Sequence, residues 1–262
     1  MIYIFLIIIM VFSIFYMIYR AHHDHVDYRS INDSRLPDSF NDLTIFFIAD
    51  IHRRTIRQET LNSIGSHIDF VYIGGDLTEK GVPLAKTREN IKRLKQWGRP
   101  IYFVTGNNDY EVNINELSKL LLDEGITILN NSTIYIEKEK HVLCLTGLEY
   151  NPLDEPNDAI ISENVQGDYR ILLTHCPSDF YDLDITSQDK VHMVLAGHTH
   201  GGQIRIGRMG LYSKGGLRKV RNTHVFITEG YGYTLLPFRF GTSAECHVIT
   251  WHSEKDTYNK DA

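Results

Sequence analysis

Cysteine is scarce in this sequence of 262 residues: Cys144, Cys176 and Cys246 are odd in number, far apart and free of any Cys-x-x-Cys spacing. That excludes a disulfide framework and leaves three free thiols, wholly or partly buried. The length needs no staples, because a chain of this size buries most of its apolar surface as one large α/β domain or two small ones. Positive charge is also short: 27 Lys and Arg stand against 33 Asp and Glu, for a net charge of −6. Sequence-independent nucleic-acid binding relies on a positive field, so no nucleic-acid partner is expected. With 19 Gly and 7 Pro, at ordinary levels, collagen-like, low-complexity and disordered classes are excluded too.

Charge is missing altogether from residues 2–19, where Ser13 is the one clearly polar member. Eighteen helical residues span roughly 27 Å, close to the hydrocarbon thickness of a bilayer. Tyr3, Tyr16 and Tyr19 lie towards the ends of the run, where amphipathic rings suit the interface. A cleaved signal peptide would need a basic start and a small-x-small site, and Tyr19-Arg20-Ala21-His22-His23 lacks the latter. A buried globular helix would show a polar face. The sequence therefore predicts a membrane anchor over 1–20, a linker over 21–41 and one body over 42–262. Arg20, Arg29 and Arg35 follow the anchor, which by the positive-inside rule places the body on the cytoplasmic side of a single-pass protein. His22, His23 and His25 read as part of an exposed tether rather than a metal site.

From Leu43 the pattern changes to apolar runs and amphipathic stretches in alternation. Residues 43–49, 68–73 and 101–104 read as buried strands, separated by helical patterns around Leu61, Ile91 and Leu94. A further helical face, Leu117, Leu120 and Leu121, ends at Gly125. Beyond it the chain reads mainly as strands, with a hairpin around Lys138-Glu139-Lys140 and runs at 171–174, 191–196, 203–206, 224–227 and 246–250. Alternation followed by several strands predicts an α/β sandwich with two packed sheets.

Polar groups recur at the ends of these strands: Asp50-x-His52, Gly75-Asp76, Gly106-Asn107-Asn108-Asp109, His175 and Gly197-His198-Thr199-His200. Strand ends of an α/β sheet gather at one edge, where ligands bind. Carboxylate, amide oxygen and imidazole without thiolate favour Mn, Fe, Zn, Co or Ni over a structural zinc site. Asp50, His52, Asp76, Asn107, His175, His198 and His200 are too many for one tetrahedral ion and suit two, with one carboxylate shared. Each piece alone has an ordinary explanation, a capped turn for Asp50 or a satisfied histidine for His175. Together and in order they are hard to explain as packing, because buried Asp and His are costly without compensating charge.

This order of motifs resembles the calcineurin-like metallophosphoesterases over residues 43–250. Gly197-His198-Thr199-His200-Gly201-Gly202-Gln203, with Glu229-Gly230-Tyr231-Gly232 and Leu236-Pro237-Phe238-Arg239, resembles the family's bacterial membrane-associated branch. The resemblance implies Asp50, His52, Asp76 and His200 on one metal ion and Asp76, Asn107, His175 and His198 on the other. The ions would be divalent or trivalent, with Mn, Fe or Zn foremost. It also implies a catalytic role near the phosphate for the position of Asn108, where the family usually has His, with Asp109 orienting that residue. An amide donates a hydrogen bond but supplies no proton.

The function expected is a two-metal phosphohydrolase cleaving phosphoester or pyrophosphate bonds, on a phosphorylated small molecule or a lipid-linked phosphate. Leaving groups that need no protonation, in aryl diesters and pyrophosphates, fit Asn108 better than alkyl monoesters do. The alternative is a metal-binding scaffold with little catalysis; a nuclease is disfavoured by the overall acidity. Residues 204–222 contain no acidic residue and carry Arg205, Arg208, Lys214, Arg218, Lys219 and Arg221 among four glycines. They read as a mobile basic loop that is simply solvated, meets an anionic membrane, or holds substrate phosphates.

Overall fold

The apolar runs after Leu43 become strands buried on both faces, as expected where a mostly parallel sheet is covered on each side. A computed structural model of the protein describes residues 1–150, 160–161 and 167–253. The first sheet contains β1 (Asp24–Asn32), β2 (Leu43–Ile48), β3 (Phe70–Ile73), β4 (Ile101–Phe103), β5 (Thr127–Ile128) and β14 (Ala244–His252), in the order β1-β14-β2-β3-β4-β5. The second contains β6 (Ser132–Lys138), β7 (His141–Gly147), β8 (Tyr169–Leu173), β9 (Met193–Ala196), β12 (Gly216–Val220) and β13 (Thr223–Ile227), in the order β12-β13-β9-β8-β7-β6. A short antiparallel pair, β10 (Arg205–Ile206) and β11 (Met209–Gly210), lies outside both. Strands β2 to β5 run parallel, as do β7, β8, β9 and β13.

Alternation along β2 shows how the layers stack. Ile45 and Phe47 face the second sheet and join Leu145, Ile171, Leu195 and Phe226 in the inter-sheet core. Phe46 and Ile48 face the other way, onto a layer built from α2 (Gln58–Asn62), α3 (Leu84–Leu94) and α4 (Ile114–Asp123). Ile91 and Leu94 of α3, and Leu117 and Leu121 of α4, are the buried stripes of those amphipathic helices. The α4 stripe starts where the Asn113 side chain accepts from the backbone N–H groups of Asn115 and Glu116. This is the expected two-sheet α/β sandwich.

Helix α1 (Ile2–His22) precedes the sandwich and is long and apolar enough to cross a membrane. The linker expected over 21–41 is corrected. Asp24–Asn32 forms β1, parallel to β14 along its whole length. An edge strand bonds on one side only and needs no apolar alternation, so its Asp, His and Arg residues hid it. Polar anchors fix it instead. The Asp24 carboxylate accepts from Arg54, from Thr60 Oγ1 at 2.6 Å and from the Tyr231 hydroxyl. Asp33 accepts from Arg35 Nε at 2.8 Å and from the Tyr169 hydroxyl at 2.9 Å. The body thus begins at β1 rather than at residue 42; its expected end, residues 254–262, lies outside the described residues.

The mobile loop expected over 204–222 is corrected as well. It contains β10, β11 and β12, and β12 pairs with β13. Arg205 is buried, with its guanidinium donating to the carbonyls of Gly201, Arg208 and Tyr212. One of the six basic residues therefore braces the loop from within.

Candidate metal centre

The parallel strands bring their C-terminal ends to one edge, and every loop named above starts there. Asp50 and His52 follow β2, Asp76 follows β3, and Asn107 and Asn108 follow β4. His175 follows β8, and His198 and His200 follow β9. Five of these residues, in three of the loops, are in forced conformations: Asp50, His52, Asp76, His198 and His200 have φ between 48° and 70°, where side chains other than glycine rarely sit. Strain of this kind clusters at functional sites. Two glycines make the approach possible. A Cβ on Gly75 would lie 2.5 Å from His175 Nδ1, and one on Gly106 would collide with the Asp76 carboxylate.

The side chains converge in two groups. In one, His52 Nε2 and His200 Nε2 are 3.1 Å apart, and His200 Nε2 is 3.4 Å from Asp50 Oδ1. In the other, Asn107 Oδ1 lies 3.1 Å from His175 Nε2 and 2.9 Å from His198 Nδ1, and the two ring nitrogens are 3.2 Å apart. Asp76 Oδ2 stands between the groups, 3.7 Å from His52 Nε2 and 3.4 Å from His175 Nε2. All seven residues expected as ligands are thus brought together. Five of them, His52, Asp76, Asn107, His198 and His200, line a cavity of about 240 Å³ together with Asn108, Gln203, Tyr212 and Thr234.

The outward-facing ring atoms say which nitrogens are free to ligate. His175 Nδ1 is 2.8 Å from the Gly74 carbonyl, so it carries the proton and leaves the Nε2 lone pair facing the site. His52 Nδ1 is 2.9 Å from Glu79 Oε2, a charge contact outside hydrogen-bond geometry that still favours the proton on Nδ1. Burial works against charge on His175, but the carboxylates of Asp76 and Asp50 outweigh it and raise the ring to about 10, so Nε2 becomes a ligand only when a cation displaces its proton and takes over the balancing of those carboxylates. Burial also opposes charge on His52, and Glu79 followed by Asp76 reverses it upward. Burial lifts Asp50 to about 6, and lowers His198 to about 4 with help from His175. His200 is pushed well down by burial, then by His52 and Arg239. Buried carboxylates therefore compete for positive charge while the neutral His198 ring offers a lone pair beside them; the His200 Nδ1 lone pair accepts from Arg239 Nη2 at 3.2 Å. That donor set fits a pair of divalent cations.

Asp109 has a different place from the one expected. Its carboxylate oxygens accept from the backbone N–H groups of Gly106 at 2.9 Å and Thr78 at 3.1 Å. It braces two site loops from behind, and burial followed by the Asp76 charge lifts it to about 7. Asn108 lines the cleft; its backbone N–H donates to Asp76 Oδ1 at 2.8 Å, and its side-chain oxygen accepts from Asn107 Nδ2 at 2.7 Å.

Two residues escaped the sequence reading. Glu79 supports His52, three positions after Asp76, where a lone carboxylate carries no pattern. Arg239 is fully buried, and its Nη2 donates to the carbonyls of Glu229 at 2.6 Å and Gly232 at 2.8 Å. Those carbonyls belong to the loop packed on Asp50, where Tyr231 N–H donates to the Ala49 carbonyl and Gly232 N–H to that of Asp50. The only available signal was the position of Arg239 in the Leu236-Pro237-Phe238-Arg239 stretch.

The sequence profile of the calcineurin-like phosphoesterases matches residues 43–202. YpbG of Bacillus subtilis is 40% identical over 210 residues, covering 79% of this chain and 80% of YpbG. A Danio rerio protein named as a transmembrane protein with a metallophosphoesterase domain is 30% identical, over 92% of this chain and 60% of its own length. The metallophosphoesterase YkoQ of Bacillus subtilis is 26% identical, over 80% of this chain and 83% of its own. Among solved structures, the sulfate thiohydrolase SoxB of Thermus thermophilus superposes with a TM-score of 0.51 at 13% identity, over 83% of this chain and 58% of that one. This last likeness is one of fold.

Proposed function

This chain belongs to the calcineurin-like phosphoesterase family, and on that premise we propose that it is a two-metal phosphohydrolase held at a membrane by α1. The convergence of two donor groups on the shared Asp76 carboxylate carries the proposal. Asp50, His52, Asp76 and His200 would hold one cation, and Asp76, Asn107, His175 and His198 the other. When bound, such a pair supplies Lewis acidity to phosphoryl oxygens and makes water nucleophilic near neutral pH.

The chain's own residues set the rest. Glu79 and the Gly74 carbonyl fix the tautomers of His52 and His175. Asp109 holds the loops that carry Asp76 and Asn107. Asn108 donates a hydrogen bond to a phosphoryl or leaving-group oxygen but gives no proton, so bonds with acidic leaving groups are the substrates of choice. Arg20, Arg29 and Arg35 support a body on the cytoplasmic side. Asn108 is also the one observation favouring a metal-binding scaffold.

A panel of phosphate esters, assayed with the full chain in detergent and added Mn, separates the two readings. Aryl phosphodiesters or pyrophosphates should turn over, and alkyl monoesters much more slowly. A metal-loaded protein that hydrolyses none of them is the scaffold.

A further inference from the structure

The end of α1 is fastened to the wall of the cleft. The Arg239 backbone N–H donates to the Met17 carbonyl at 3.1 Å, and the Tyr16 ring meets Phe240 at 6.0 Å, edge to face. Arg20 donates to the Thr242 carbonyl at 3.2 Å and to Ser243 Oγ at 3.1 Å. A helix of 21 residues is about 32 Å long, little more than the hydrocarbon core it must cross. Its last turns therefore lie at the membrane surface, and so does whatever is bonded to them.

What is bonded to them is apolar and uncovered. Ile204 bridges to Phe240, and Arg205 N–H donates to the Phe240 carbonyl at 2.7 Å. Gln203 ties this strand to the next loop, donating from Nε2 to the carbonyls of Thr234 and Leu236. The result is one continuous rim in which Leu235 is 89% exposed, Met209 75% and Ile206 70%. Leu235 also holds a left-handed φ of 59°, unfavourable for leucine and unrewarded by any internal packing. Arg208 and Lys214 stand exposed beside these residues, and no acidic residue occurs from 204 to 222. Apolar tips flanked by cations match the headgroup and acyl boundary of an anionic leaflet. Gln203, Leu211, Tyr212 and Thr234 line the metal cleft as well, so rim and cleft share a wall.

We propose that this rim inserts shallowly into the leaflet from which α1 emerges, and that the cleft opens onto the headgroup layer to take phosphates carried by membrane amphiphiles. The substrate half rests on the phosphohydrolase reading; the membrane contact does not. The reaction would add water across a P–O bond, leaving the amphiphile phosphate in the bilayer and releasing the other product as an alcohol.

The test uses the full chain in nanodiscs of phosphatidylcholine and phosphatidylglycerol with brominated acyl chains. Leu235→Trp should be strongly quenched relative to the unmutated protein, and Leu122→Trp, on the exposed face of α4, should not. Equal quenching at the two positions overturns the membrane contact. The second arm compares hexadecyl 4-nitrophenyl phosphate in the nanodisc with soluble methyl 4-nitrophenyl phosphate. Replacing Met209, Leu235 and Leu236 together by Ser should lower kcat/KM about tenfold for the hexadecyl ester and leave the methyl ester nearly unchanged. An equal change for both overturns the amphiphile assignment. If the unmutated protein cleaves neither ester while quenching at 235 persists, the phosphohydrolase reading fails and the membrane contact stands.

Discussion

Removing the carboxylate of Glu79 should loosen metal binding without touching a metal ligand. Glu79 is buried, and its Oε2 lies 2.9 Å from His52 Nδ1, which leaves His52 Nε2 free to face Asp76 and His200. Burial alone would raise the Glu79 carboxyl, but its contacts with His52 and Arg53 hold it below the usual range, so it acts as an anion. The Arg53 pair adds little, because that guanidinium is 58% exposed. Losing the support of a ligating histidine costs about 10–100-fold in metal affinity, or about 1.4–2.7 kcal/mol. Glu79→Gln keeps an acceptor and loses the charge, so its loss should be about tenfold, at the lower end of that range. Glu79→Ala strands the ring nitrogen and belongs at the upper end. Competition for Mn between the full-length protein and a chelating dye gives the affinities. Melting with excess chelator separates this effect from fold stability, since metal stabilises only in proportion to its binding. Unchanged affinity in both variants would refute the argument that Glu79 sets the His52 tautomer.

Asn108→His should restore a proton donor, raising hydrolysis of alkyl esters by about a hundredfold more than that of aryl diesters; an equal change in the two rates would mean that the side chain at 108 does not meet the leaving group. Asp33→Asn should destabilise the protein at neutral pH. Burial would raise the Asp33 carboxyl, but the His224 ring 3.4 Å away and hydrogen bonds from Arg35 and Tyr169 hold it well below the usual range. Because its folded pKa is depressed, the stability it contributes is full above about pH 4 and is lost as pH falls below that value. The melting-temperature gap between wild type and Asp33→Asn should therefore narrow from pH 7 to pH 3, and a constant gap would contradict the assignment.

Much of the site was legible because parallel strands deliver their C-terminal ends to one edge. Once β2, β3, β4, β8 and β9 were recognised as apolar runs, the polar residues after them had to meet. What stayed hidden depended on contacts that leave no period in the sequence. β1 is polar because only one of its edges bonds, and its place is set by Asp24 meeting Arg54 and Tyr231, residues 30 and 207 positions away. Glu79 looks like any surface carboxylate until His52 turns towards it. The segment after Gln203 looked mobile from its glycines and charges, yet Arg205 folds back into it and cancels the carbonyls that a loose loop would leave to water. Asp109 was read as an orienting group for the side chain at position 108; its oxygens accept from the backbone N–H groups of Gly106 and Thr78, which no motif could show.

The shared carboxylate is the centre of the account, and metal content tests it directly. Elemental analysis of the full-length protein, purified in detergent with Mn, should find two ions per chain. Asp76→Asn should lose both, because one substitution removes a ligand charge from each group, whereas His200→Ala should keep the ion held by Asn107, His175 and His198. Two tightly bound ions remaining in Asp76→Asn would contradict the assignment of Asp76 as the bridge.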